Sequence, residues 1–123
     1  MSITALIAGY NEENTAADAI GDTLKHVDKV IFCNDGSTDR TLETIMKRFS
    51  KNKRVKILSW DENRGKGYAV MQGFKEFLRA DGNILVTIDA DGQHDPKEID
   101  SLVSLIERKT SDVVIGARIL LHS

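Results

Sequence analysis

The chain has 123 residues, 41% of them hydrophobic and 29% charged, the proportions of one globular domain with a packed core. Its seventeen basic and nineteen acidic side chains are interspersed and sum to a formal charge of -2, which removes the electrostatic argument for a nucleic-acid binder, since that would need a basic face or stripe. No apolar run approaches the roughly 18 residues of a membrane span, a signal peptide's basic and apolar regions are not evident, and the single cysteine excludes a disulfide framework.

In chain order, Ile3 to Ala8 is a short apolar run that predicts a strand. Asn14 or Thr15 can cap a helix whose residues Ala16, Ala17, Ile20, Leu24 and Val27 recur at helical spacing. Lys29 to Cys33 predicts a second strand, with Cys33 as a small core residue. Ser37 or Thr38 then caps a helix with Leu42, Ile45, Met46 and Phe49 on one face. Arg54 to Ser59 predicts a third strand, and Gly65 to Ala80 a third helix carrying Tyr68, Val70, Met71, Phe74, Phe77 and Leu78. The aromatic and Met side chains of these helices are expected in the core. Ile84 to Thr87, apolar and β-branched, predicts a buried fourth strand. Pro96 suits a first helical turn and precedes Ile99, Leu102, Val103 and Ile106, and Asp112 to Ile115 predicts a fifth strand. Such alternation without a long linker implies a three-layer αβα domain with a mainly parallel sheet.

In such sheets ligands bind beyond the carboxyl ends of the strands. The chemistry-bearing residues fall there: Gly9 to Glu13, Asn34 to Asp39, Asp61 to Gly67, and Asp89 to Asp95. In an extended segment residues i and i+2 face the same way. Asp89 and Asp91, separated by the small Ala90, can therefore present their oxygens to one point. Like charges that close repel unless a cation lies between them. Hard divalent cations such as Mg2+ or Mn2+ take oxygen ligands and keep positions for water or substrate phosphate. An aromatic ring at Tyr10, acidic groups and a Gly-flanked basic pair add what a nucleoside diphosphate requires: a stacking surface, acceptors and cations.

Each loop also reads as plain structure. Asp35 to Asp39 has the composition of a turn and helix cap. Tyr10 can pack on the surface, and His94 can be a solvated imidazole rather than a ligand or an acid-base group. Gly65-Lys66-Gly67 lacks the spacing of a Walker loop, and no G-x-G-x-x-G follows the first strand. Co-location at one edge is the stronger signal.

In that order, Ile7 to Glu13, Asn34 to Asp39, Asn63 to Gly67 and Asp89 to His94 resemble the motifs of family 2 glycosyltransferases, nearest the polyprenyl-phosphate, dolichyl-phosphate mannose synthase-like branch. The likeness runs through Val114 to Arg118. It implies a GT-A fold, Rossmann-like, and inverting transfer from a GDP- or UDP-sugar to a polyprenyl phosphate or saccharide. It places Ala8, Tyr10, Glu12, Asp35, Lys66, Asp89, Ala90, Asp91 and Arg118 in the nucleotide-sugar site. Tyr10 would lie against the base, Glu12 and Asp35 on nucleoside donors, and Lys66 and Arg118 on the donor. Asp89, Asp91 and Gln93 would hold Mg2+ or Mn2+ on the diphosphate.

Two departures stand out. Ala8 occupies a position where the family usually has proline, and the chain stops soon after the fifth strand, before the family's acceptor half and its catalytic base. The expectation is a single nucleotide-sugar-binding domain over residues 1–123, with no assignable base and no sugar transfer by the chain alone. Its expected location is the cytoplasm, including the cytoplasmic face of a membrane. A non-catalytic nucleotide-binding module is the alternative. A phospho-receiver domain fits less well, because it needs its acidic pair after the first strand and its lysine after the fifth.

Overall fold

The computed structural model describes residues 2–80, 84–90, 99, 100, 104, 113, 114 and 119–121, with backbone alone for residues 89, 113, 114 and 119–121. Strand β1 (Ile3–Gly9) is central, and residues Thr4 to Ile7 are all buried, so both of its faces meet other side chains. Strand β2 (Lys29–Asp35) and strand β4 (Ile84–Asp89) flank it in parallel, and β3 (Val55–Trp60) lies parallel outside β2. In register, Ala8 sits between Cys33 and Asp89, so the carboxyl ends of three strands finish level.

Alternation along the strands sorts the core into two layers. Ala5, Ile7, Val30, Phe32, Val86 and Ile88 face helices α1 (Ala16–Thr23) and α2 (Thr41–Phe49). Leu6, Ile31, Cys33 and Leu85 face helix α3 (Lys66–Arg79). The three-layer αβα architecture is thus present. Helices α2 and α3 each bury a narrow stripe at four-residue spacing: Thr41, Ile45 and Phe49 on one, Ala69, Gly73 and Phe77 on the other. At Gly73 a Cβ would stand 2.2 Å from Leu6 Cδ1, so this glycine lets α3 lie close on β1. Burial first, and then the nearby charge of Asp35, push the Cys33 thiol up to about 12. It is an uncharged core group, as expected.

Several expectations are corrected. Met46, Tyr68 and Met71 are exposed rather than core, because they stand away from the face each helix turns to the sheet; Leu78 is exposed as well. The last expected strand is present as β5 (Val113–Val114), Asp112 and Ile115 lying outside the described residues, and a further strand, β6 (Ile119–Leu121), enters the sheet antiparallel to both β4 and β5. The order is β3-β2-β1-β4-β6-β5. Three residues are too few to display a two-residue period, which is why β6 escapes sequence reasoning. β2 runs on to Asp35, and β3 begins and ends one residue later than expected. Ile99, Asp100 and Ser104 are helical and Ile99 is buried beside α1, while Pro96, Leu102, Val103 and Ile106 lie outside the described residues. Among the described residues no helix is long and apolar enough to cross a membrane.

Candidate functional site

The chain steps outward from β1 to β2 to β3, then returns past β1 to form β4 on its other side. The strand order therefore reverses between β1 and β4, and the crevice beyond their carboxyl ends is where such sheets bind ligands. Tyr10 follows β1 there, and Asp89 closes β4 one hydrogen-bonded register from Ala8.

The loop after β1 is tied to the loop after β2. Asn11 adopts φ 53°, a left-handed conformation that asparagine tolerates. Its Oδ1 accepts from the backbone N–H of Thr38 at 2.8 Å and of Asp39 at 3.3 Å. Its Nδ2 donates to Thr38 Oγ1 at 3.2 Å and its N–H to Ser37 Oγ at 3.0 Å. Glu12 N–H donates to Thr41 Oγ1 at 2.9 Å, and Glu13 N–H to Asp39 Oδ2 at 3.2 Å. Ser37 and Thr38 are thus not the caps of α2. The cap position is Arg40, without a side-chain cap bond, and Asp39 just before it accepts at Oδ1 from Thr41 N–H at 2.9 Å. Partial burial opposes ionisation of Asp39, but hydrogen bonds from Thr41 and Glu13 outweigh it and hold the carboxyl below the usual carboxylate value.

Thr15 likewise does not cap α1 through its side chain. Its hydroxyl reaches Ala90 O at 2.8 Å and Glu12 Oε2 at 3.1 Å, which ties the start of α1 to the end of β4. That contact spans 75 positions, so no local sequence signal announces it.

The third loop hangs on Asp35, whose side chain is 4% exposed. Its Oδ1 accepts from Trp60 Nε1 at 2.7 Å and from Arg64 N–H at 2.8 Å, and its Oδ2 from Gly65 N–H at 3.0 Å. Trp60 was not singled out by its sequence context. The signal is its pairing with Asp35 at the ends of β3 and β2, where an indole N–H needs a buried acceptor. Trp60 meets Tyr68 edge-on at 5.2 Å between centroids, and Arg64 lies over the same Tyr68 ring at 5.3 Å. Gly36, with φ 68°, passes directly beneath: a Cβ there would stand 2.2 Å from Asn63 N.

Between these loops opens a pocket of about 280 Å³ lined by Ala8, Gly9, Tyr10, Asp35, Asn63 and Lys66, among others. Four of the candidate residues, Ala8, Tyr10, Asp35 and Lys66, meet on it, and the Tyr10 ring is 44% exposed. Glu12 does not line it; its carboxylate faces Thr15 instead. Ala90 is buried at the end of β4, its carbonyl held by Thr15. Asp91, Gln93, His94 and Arg118 lie outside the described residues. Among the described residues no group of three or more His, Cys, Asp or Glu side chains is placed to hold a metal.

Comparison with known proteins accords with this arrangement. The sequence profile of "Glycosyl transferase family 2" matches residues 4–120. The dolichol-phosphate mannosyltransferase of Pyrococcus furiosus is 34% identical over 122 residues, covering 96% of this chain and 33% of that protein. Other archaeal relatives are spanned over 47% and 52% of their length, so the chain matches about half or less of the proteins it resembles. The S. aureus TarS 1-349 structure in complex with UDP superposes with a TM-score of 0.68 at 21% identity, over 92% of this chain and 34% of that one. The mannosyltransferase PcManGT of Pyrobaculum calidifontis, in complex with GDP-Man and Mn2+, gives 0.59 at 24% identity over 72% of this chain and 27% of that one. The fold is GT-A, and the chain belongs to glycosyl transferase family 2.

Proposed function

We propose that residues 1–123 are the donor-binding domain of a glycosyltransferase, which takes a UDP- or GDP-sugar with a divalent cation for inverting transfer to a polyprenyl phosphate or saccharide. The observation that carries the reading is the pocket where Ala8, Tyr10, Asp35 and Lys66 meet, beside the strand end that carries Asp89. At about 280 Å³ it lies near the lower bound of ligand pockets, roughly 300–1,000 Å³. That is room for the nucleoside part, leaving the diphosphate to run along the strand ends toward β4.

In this reading Tyr10 offers its exposed ring to the base. Asp35 has spent three acceptor positions on its own loop, and a carboxylate has about four. One position on Oδ2 remains for a nucleoside N–H or O–H. Lys66 opens α3, where its charge adds to the positive end of the helix, and both favour phosphate. Asp89, Asp91 and Gln93 are the oxygen donors that would hold Mg2+ or Mn2+, hard ligands of the type these ions take. The ion would supply neutralisation of the charge left on the departing diphosphate. We assign no acceptor base, and the location of the protein at the cytoplasmic side of a membrane belongs to the same reading.

Calorimetry with UDP, GDP and their sugars, with Mn2+ or with EDTA, tests it. Binding that needs the cation is expected, and Tyr10→Ala is expected to weaken it by about 1–3 kcal/mol without changing stability. No binding to any of these nucleotides would refute the reading, and equal binding in EDTA would remove the metal from it.

A further inference from the structure

We infer that the amino ends of β1, β2 and β3 form a second ligand site, one that takes a phosphate group. A cavity of about 150 Å³ opens there, bordered by Thr4, Lys29, Lys53, Lys56, Glu76 and Phe77 among others. It is too small for a nucleotide by the usual pocket range of roughly 300–1,000 Å³. Thr4 and Ala8 are four residues apart on β1, about 13 Å at strand rise, so this cavity and the nucleotide pocket lie at opposite ends of the sheet.

Two independent features point to an anion. Thr4 is 2% exposed, and its hydroxyl has no hydrogen-bond partner among the described residues. Leu6, Ile31 and Leu58 belong to the core on the α3 side, so Thr4, Lys29 and Lys56, each two residues earlier on its strand, stand on that same side. Buried hydroxyls are ordinarily satisfied, so an unpartnered one beside a cavity marks a place for a ligand atom.

The second feature is charge. No ion pair joins Lys29, Lys53 or Lys56 to a carboxylate among the described residues. The simplest competing explanation is that these lysines neutralise helix carboxyl ends. A helix end carries only about half a negative charge. Arg54 already serves the end of α1, donating to Leu24 O, Val27 O and Asp28 O, and Arg79 stands in the last turn of α3. Three ammonium groups exceed what remains. Glu76, the acid at the rim, is turned to Arg79 at 3.8 Å. Ammonium groups and a hydroxyl supply donors, and a phosphate group supplies acceptor oxygens. That group can belong to a soluble phosphate or to a lipid headgroup; the chemistry is shared.

Backbone amide NMR of the full chain titrated with inorganic phosphate tests the site, with chloride at matched ionic strength as the control. Saturable shifts at Thr4, Lys29, Lys56 and Phe77, absent with chloride, are the expected result. Thr4→Val and Lys56→Gln should each weaken binding at least tenfold; the second is a surface change that keeps the test valid if the first misfolds. Co-sedimentation with vesicles of anionic phospholipid, released by free phosphate, would assign the headgroup as the source. Phosphate shifts without vesicle binding would assign a soluble phosphate. Identical behaviour of phosphate and chloride, or full binding by Lys56→Gln, would overturn the inference. The result does not depend on whether nucleotide binds at the other end of the sheet.

Discussion

The seam between the β1 and β2 loops starts next to the pocket residue Tyr10, and the loop after β3 lines the same candidate pocket, yet the two are held in different ways. Along the seam Asn11, Glu12 and Glu13 meet Ser37, Thr38, Asp39 and Thr41 through several separate hydrogen bonds, so each shares the load with neighbours. The Asp61 to Gly65 loop instead converges on the single carboxylate of Asp35 and rests on the bare Cα of Gly36. One wall is redundant and the other depends on one residue pair. Asp35 in the second wall thus carries the shape of the loop as well as lining the pocket.

The largest test of this contrast is Gly36→Ala. The left-handed backbone costs about 1–3 kcal/mol for a side chain, and overpacking against Asn63 adds about 1–3 kcal/mol more. Urea unfolding should show that sum, and nucleotide affinity should fall with it. Asp35→Asn comes next. An amide turns N–H toward one of the donors now held by Oδ1 or Oδ2, for a loss of about 1–3 kcal/mol in stability. Calorimetry should show all nucleotides weakened together; a change confined to base preference would mean that Asp35 serves the base alone.

The smallest effect belongs to the redundant wall. The folded Asp39 carboxyl titrates below its ordinary 3.8, so its contribution is complete above that value and is lost as pH falls through the lower folded one. Amide exchange at Glu13 and Thr41 should therefore quicken below about pH 3.8 while the core stays protected. Equal loosening of the Arg64 and Gly65 amides in the same window would erase the distinction between the walls.

The sequence carried the parallel units clearly, because β1, β2 and β4 are continuous apolar runs and their helices show a helical period. It also put Ala8, Tyr10, Asp35 and Lys66 at strand ends, where they meet on one pocket. It misled where one residue type serves two purposes. Ser37, Thr38 and Thr15 have cap chemistry, but partners brought in from other loops win their hydroxyls. Tyr68 and Met71 fit the period of α3 yet stand outside its buried stripe. The antiparallel turn into β6 left no trace because its pairing is fixed by β4, more than thirty residues earlier in the chain.

Trp60 is the only tryptophan in the chain. Its indole N–H is bonded to Asp35, its ring edge meets Tyr68, and the loop it helps to hold borders the candidate pocket. The protein consequently carries its own optical probe: emission colour and quenching at this one fluorophore report the state of that wall, with no label to disturb it.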